Sequence, residues 1–192
     1  MLAFSRITSI LFFVLSLSFL TCALSTTDSN ALAARDQGAD LLNICVNLEA
    51  DVQVKCDDIA KVNVKSVADV TAQVAAICEL VTVAAKAIAA VGVKVDVAAD
   101  VKAQIAVHIA AVIKLIVNLC VTLVAKLGVT ALVALLAKID ISLQLLLANL
   151  AIVVHGIVAV IVKLLVDITA EVLTDVSLKL CLTVLLPAGL TL

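Results

Sequence analysis

The first regular pattern after the apolar N-terminus runs from Leu41 to Val62. On a helix, its apolar and polar residues would lie on opposite sides. Apolar residues recur every three or four positions from Leu41 to Val62, which is the spacing of an amphipathic helix. Asp40 stands where an N-terminal cap is needed. We therefore predict a first helix over 41–62 with one buried face.

A second helix is predicted from Ser66 to Val91. Ser66 followed by Asp69 resembles a capping box, in which two side chains satisfy free backbone N–H groups at a helix start. Gly92 follows the last apolar position and favours termination there. The short link between the first two helices favours an antiparallel hairpin.

A third helix is predicted from Val97 to Leu127, ended by Gly128. Its polar residues fall on one stripe about 120° wide, and the remaining face is apolar. The stripe consists of Asp100, Gln104, His108, Lys114, Asn118, Thr122 and Lys126. A short apolar helix is expected at 129–138.

The C-terminal third carries the strongest apolar signal. No charged residue occurs from Ile141 to Val162, and Pro187 stops the pattern. Between them, charged residues recur at intervals of four, which on a helix would line one side. These are Lys163, Asp167, Glu171, Asp175 and Lys179. We predict a long C-terminal helix over 141–186.

Asp140 or Ser142 is expected to cap this long helix, and Gly156 to kink it. The whole pattern predicts an all-α domain of four to five helices, arranged as antiparallel hairpins in a bundle. Within the predicted bundle at 39–192, the hairpin at 39–92 is more polar, and the helices at 97–186 are very hydrophobic.

The N-terminus resembles a secretory signal peptide over residues 1–25. Arg6 supplies a positive charge, Ile7 to Leu20 is apolar, and Ala23 to Ser25 is a small-x-small cleavage site. An uncleaved anchor remains an alternative. Residues 26–38 are expected to form a disordered lead-in. The chain is therefore predicted to be extracellular, with a membrane location as the alternative.

The amino-acid composition argues against several classes of ligand. The chain is 65% hydrophobic, against about 45–50% in ordinary soluble domains. It has no Trp or Tyr, and its four Phe all precede residue 20, so stacking of sugar rings or bases is not expected. With a net charge of −2 and only Arg6 and Arg35 as arginines, no nucleic-acid partner is expected.

Loss of the leader would remove Cys22 and leave five cysteines, expected to be largely oxidised in a secreted protein. Cys45 and Cys56 would lie about 16 Å apart on one helix and cannot pair. Hairpin geometry favours Cys45 with Cys78, and Cys120 with Cys181 is a second candidate pair. The alternative is that several are small buried hydrophobes.

No catalytic chemistry, metal site or cofactor is predicted. His108 is expected on the solvated stripe of the third helix and His155 inside the apolar C-terminal run. Neither lies in a pattern typical of a nucleophile, a phosphate loop or a zinc site. We therefore expect a protein that is not an enzyme.

Two stretches, 103–125 and 141–162, are long enough to span a bilayer. A small integral or membrane-inserting protein is therefore one hypothesis, and a secreted lipid carrier is another. The favoured hypothesis is a secreted amphipathic protein whose segment 103–186 acts at hydrophobic–water interfaces. Leu147 and Val154 are expected on the contacting side. Self-association is left open.

The chain resembles a known family in its predicted signal peptide, polar first half, very hydrophobic second half, scattered cysteines and lack of aromatics. It looks like the small secreted surface proteins of basidiomycete fungi, of the type described from Schizophyllum, that are not hydrophobins. That resemblance implies a role in aerial hypha formation and in attachment of hyphae to hydrophobic surfaces. It rests on size and composition and carries over no functional residue.

Overall fold

A computed structural model describes residues 37–62, 64–92 and 94–190. These residues are helical with short connections and contain no β-strand, which confirms the predicted all-α class. The expected signal peptide lies outside the described residues. So does the expected lead-in, except for its last two residues, which are helical.

The described residues hold more helices than the four to five predicted. They are α1 (37–61), α2 (Ala68–Val91), α3 (Ala99–Leu127), α4 (Val129–Val153), α5 (Ile157–Leu164), α6 (Ala170–Asp175) and α7 (Lys179–Leu185), followed by a 3-10 turn at Leu186–Ala188.

Local signals fixed α2 and α3 as predicted. Both helices end before glycines with positive φ, 131° at Gly92 and 81° at Gly128. At the start of α2, the Asp69 carboxylate accepts the backbone N–H of Ser66 at 2.8 Å and that of Lys65 at 3.0 Å. These two bonds hold the pKa of Asp69 below its usual value, Lys65 contributing most.

The first helix lies beside both α2 and α3. Ile44, near the start of α1, lines the same groove as Ala87, near the end of α2. On its other side, Glu49 of α1 bonds His108 of α3. The apolar side of α1 is therefore covered by two helices that are separate in sequence.

Helices α2 and α4 pack side by side and run in the same direction. The Asn149 side chain donates to the Ala85 carbonyl at 2.8 Å. Farther along, the N–H of Val95, which follows α2, donates to the Val153 carbonyl at 2.8 Å. The numbers of the contacting residues increase together in the two segments, so the helices are parallel. This is possible because α3, which lies between them in the sequence, brings the chain back to the end of the fold where α2 begins.

One apolar core joins the helices. Its largest fully buried side chains come from the four helices α1 to α4 and are all aliphatic, as the absence of aromatics after residue 20 requires. They include Leu41, Ile77, Ile109, Leu136 and Leu147.

The predicted long C-terminal helix is wrong. The helix α4 starts already at Val129, continues through the expected turn at residues 138–142, and ends at Val153. Gly156 then adopts a left-handed conformation, φ 69°. This is a reversal of the chain rather than a kink, because Lys102 of α3 bonds the His155 carbonyl at 2.6 Å and Lys114 bonds Asp167 at 3.2 Å.

The chain breaks twice more before its end. Leu165 and Ile168, between α5 and α6, are buried, and Thr169 caps α6 by accepting the Val172 N–H at 3.4 Å. Between α6 and α7, Ser177 has φ 61°. The charges predicted to form one helical stripe are thus distributed over α5, α6, α7 and their connections.

Candidate functional site

The outward side of α4 is almost entirely apolar. Of its exposed positions, only Thr130 and Lys138 are polar. The large aliphatic residues among the rest keep a third to more than half of their surface in contact with solvent. They are Val133 (54%), Ile141 (57%), Leu145 (36%) and Ile152 (55%).

Two polar residues of α4, Asp140 and Ser142, are buried instead. Asp140 is 4% exposed and accepts the backbone N–H groups of Leu180 and Cys181 at the start of α7. Ser142, also 4% exposed, donates to the Ile139 carbonyl at 2.9 Å. Because buried polar groups need partners, the bonds of Asp140 to α7 favour this orientation of α4, which leaves aliphatic side chains outside.

The helix α2 extends this apolar side. Val83 is 58% exposed and lies with Ile141 and Leu145 in a groove of about 440 Å³ between α2 and α4. We call the surface formed by Val83, Val133, Ile141, Leu145 and Ile152 the α2/α4 face.

Three charged residues border the groove: Glu79 and Lys86 on α2 and Lys138 on α4. Among the described residues, no carboxylate lies within ion-pair distance of either lysine. The groove is therefore aliphatic along its floor, with more positive than negative charge at its edge, although the whole chain has a net charge of −2.

The exposed side of α1 has the opposite character. Val46 (39%) and Val54 (56%) are exposed there, but polar residues surround them. The exposed polar residues of α1 are Gln37, Asp40, Asn43, Asn47, Asp51, Gln53, Asp57, Asp58 and Lys61. The exposed side of α1 is therefore mostly polar, whereas that of α4 is almost entirely apolar.

A second cavity, of about 210 Å³, lies between α1 and α3. Cys56, Leu119 and Leu123 contribute to its apolar part, while Asp57 and Lys126 place opposite charges on its lining. It is smaller than the groove on the α2/α4 face and has no excess of charge of one sign.

The five cysteines of the described residues are free thiols. Neither of the two candidate pairs is joined by a disulfide in the structure. Which of these thiols pair when the protein is oxidised stays a prediction.

Both cysteines of the second candidate pair are buried. Cys181 touches Asp140 through its backbone N–H and through its thiol, 3.8 Å from the Asp140 carbonyl. Burial, then Asp140, then the neighbouring Cys120 raise the pKa of the Cys181 thiol. Cys120 and Cys181 are thus neighbours inside the core.

Burial suppresses ionisation of the other thiols too. It raises the pKa of Cys45 to about 12 and that of Cys56 to about 11, Asp57 adding to the effect at Cys56. For Cys120, burial and the neighbouring Cys78 raise the pKa to about 12. Burial also raises the pKa of Cys78, against opposing effects of Ser142 and Lys138.

The prediction for His155 was wrong, and that for His108 holds only in part. His108 is half-buried and its Nδ1 lies 2.5 Å from Glu49, because α1 covers part of the stripe expected to face solvent. His155 is exposed, because the chain reverses there. Within the described ranges, no three His, Cys, Asp or Glu side chains are grouped so that they could hold a metal ion.

Two residues expected at the contacting surface lie in the core instead: Leu147 is 0% exposed and Val154 2%. The positions of the α2/α4 face were missed because α4 is apolar on every side, so periodicity alone could not choose its outward side. The deciding signal is the placement of Asp140, Ser142 and Asn149, whose polar groups need partners inside.

By length and hydropathy, three helices of the described residues could cross a membrane: Ala68–Val91, Ala99–Leu127 and Val129–Val153. The second contains the whole of the predicted stretch 103–125, and the third contains residues 141–153 of the other predicted stretch. The other predicted stretch, 141–162, is interrupted by the reversal at Gly156.

No protein-family model matches the chain, and a search of curated proteins finds no significant relative.

Proposed function

We propose that the protein is a secreted, non-enzymatic structural protein that binds hydrophobic surfaces in water through its α2/α4 face. The observation that carries the proposal is the outward side of α4, where Ile141 and Ile152 are more than half exposed. Moving the exposed part of such a side chain out of water is worth on the order of 1 kcal/mol. Exposed aliphatic surface of this kind supports an interaction site.

The distribution of charge supports the same proposal. Acidic residues concentrate on α1, and α4 has a single acid, Asp140, which is buried and already bonded. A hydrophobic surface can therefore meet the α2/α4 face without desolvating a carboxylate of α4. Lys86 and Lys138 can keep their ammonium groups in water while their stems lie on the surface.

The helices are further proposed to form a bundle of antiparallel hairpins. The position of Ile44 beside Ala87 supports this for α1 and α2. The shared direction of α2 and α4 supports it for the helices that follow. From the resemblance to the secreted surface proteins of basidiomycetes, we propose that such a bundle acts at the hyphal surface or cell wall, with hydrophobic surfaces and lipids as its partners.

Surface activity of the purified protein tests the proposal. Detergent-free protein should lower the surface tension of water and adsorb to a hydrophobic film. Ile141→Asp and Ile152→Asp should each weaken both effects. Val54→Asp is the matched control, because Val54 is as exposed as Ile141 but lies on the polar side of α1. Circular dichroism and thermal unfolding should show that all variants remain folded.

Folded wild-type protein that leaves surface tension unchanged would refute the proposal. So would equal losses in Ile141→Asp and Val54→Asp, because a specific face would then not be responsible.

The second candidate is an integral membrane or membrane-inserting protein, supported by the three helices of sufficient length and hydropathy. It predicts that the protein requires detergent to stay in solution and cofractionates with vesicles through an alkaline wash. The interfacial proposal predicts soluble protein that is released by that wash.

A further inference from the structure

The groove between α2 and α4 differs from a general hydrophobic surface because lysines stand at its edge. We propose that it binds a single aliphatic chain bearing a carboxylate, such as a fatty acid. This inference rests on the proposed function, because the groove lies within the α2/α4 face, and it adds a class of ligand.

The shape of the groove suits one extended chain. Because α2 and α4 run in the same direction with Ala85 beside Asn149, Lys138 lies near the level of Val74. Lys86 is twelve residues farther along α2, or about 18 Å at the helical rise. Val83, Ile141 and Leu145 lie between the two lysines, so the aliphatic part of the groove is elongated along the helices.

The charge of the groove selects the head of the ligand. Lys86 and Lys138 lie at opposite ends of the aliphatic floor, and neither has a carboxylate partner among the described residues. Glu79 is the only acid at the edge. A chain lying in the groove thus brings its head to a lysine whichever way it enters, and a carboxylate is preferred over a neutral head.

The second cavity is a less suitable site for such a ligand. It holds about 210 Å³ against about 440 Å³ for the groove. It also presents Asp57 as well as Lys126, which gives a carboxylate no net attraction. This cavity supplies the control for the experiment.

Titration calorimetry of the full chain with dodecanoate and with dodecanol, both below their aggregation limits, tests the inference. Calorimetry is suitable because the chain has no Trp or Tyr to report binding by fluorescence. Dodecanoate should bind about two- to fivefold more tightly than dodecanol, as an exposed ion pair allows. Added salt should reduce that preference.

Variants locate the site. Lys86→Gln and Lys138→Gln should each reduce the preference for dodecanoate, and the double variant should abolish it while dodecanol still binds. Lys126→Gln, in the second cavity, should keep the wild-type preference. Ile141→Asp should weaken binding of both ligands.

Equal affinity for the two ligands overturns the inference, as does a preference lost in Lys126→Gln but kept in the double variant. Surface tension measured without ligand separates this failure from failure of the proposed function. Surface-active protein with no preference refutes only the ligand. Protein that prefers dodecanoate but leaves surface tension unchanged refutes only the interfacial function.

Discussion

Asp140, in the middle of α4, accepts the backbone N–H of Leu180 at 2.7 Å and so caps a helix forty residues away in the sequence. Its second carboxylate oxygen accepts the N–H of Cys181 at 2.9 Å. The first N–H groups of a helix have no partner within that helix. A buried carboxylate from α4 supplies the partners for α7 and thereby fastens the C-terminal segment to the core.

Replacing this carboxylate should loosen α7. Asp140→Asn keeps the size of the side chain but removes the charge and places an amide donor against backbone donors. We expect a loss of about 1–3 kcal/mol in the free energy of unfolding, measured by urea denaturation. Asp51→Asn, on the exposed side of α1, should change it little. Equal stability of the two variants would show that the cap contributes nothing.

Two glycines should respond in opposite directions to substitution by alanine. Gly156 has φ 69°, and a Cβ there would lie 3.4 Å from the Lys102 ammonium nitrogen, so Gly156→Ala should destabilise the fold by about 1–2 kcal/mol. Gly38 is helical, and its Cβ would make ordinary contacts with Val97 and Val101 at 3.7 Å. Gly38→Ala should stabilise by about 0.5–1 kcal/mol.

Thermal unfolding of both variants measures this contrast. If Gly156→Ala left the melting temperature unchanged, the left-handed reversal after α4 would not be part of the native fold.

The reduced protein should lose stability in alkali. Burial raises the pKa of Cys45 and Cys120 to about 12, and that of Cys56 to about 11, from 9.0. These thiols therefore release protons more readily when the chain is unfolded. Their contribution is complete below pH 9.0 and is lost as the pH rises toward the folded values.

Urea denaturation between about pH 8 and about pH 10 should show this decline. Cys45→Ala removes one buried thiol and should make the decline less steep, whatever its effect on stability itself. A stability that rises over this range in the wild-type protein would contradict the burial of the thiols.

Disulfide mapping distinguishes the two predicted pairs. If the exported protein is oxidised, Cys120 should be found linked to Cys181, because the structure makes them neighbours. Cys45 should remain unpaired with Cys78, because burial alone raises the pKa of Cys45, with no contribution from the Cys78 thiol. Peptide mass mapping without reduction decides this. A Cys45–Cys78 link would require a different packing of the first two helices.

The sequence correctly predicted the C-terminal ends of the helices that are followed by a glycine with positive φ. Gly92 and Gly128 ended α2 and α3 at the expected residues, because a residue with positive φ stops a helix regardless of its surroundings. The sequence also predicted the contrast between a polar first half and an apolar second half, which composition alone carries.

It failed where the ends depend on distant parts of the chain. Asp140 has the character of a helix cap, and it is one, but its helix is α7 rather than the next segment. The helix α5 ends at Leu164, and Leu165, which follows it, is buried in the core. No glycine or proline next to it marks this end in the sequence. The charged residues after Lys163 recur at a helical interval, but the segment that carries them is not one continuous helix.

The pairing of α2 with α4 has a consequence for how the protein is made. Sixty-four residues separate Ala85 from its partner Asn149, so a ribosome completes α2 well before α4 exists to cover it. During that interval α4 does not yet cover the apolar side of α2, which carries Val74, Ile77 and Val81. Transiently exposed apolar surface favours aggregation, so contact with α1 is the first cover that this side of α2 can obtain.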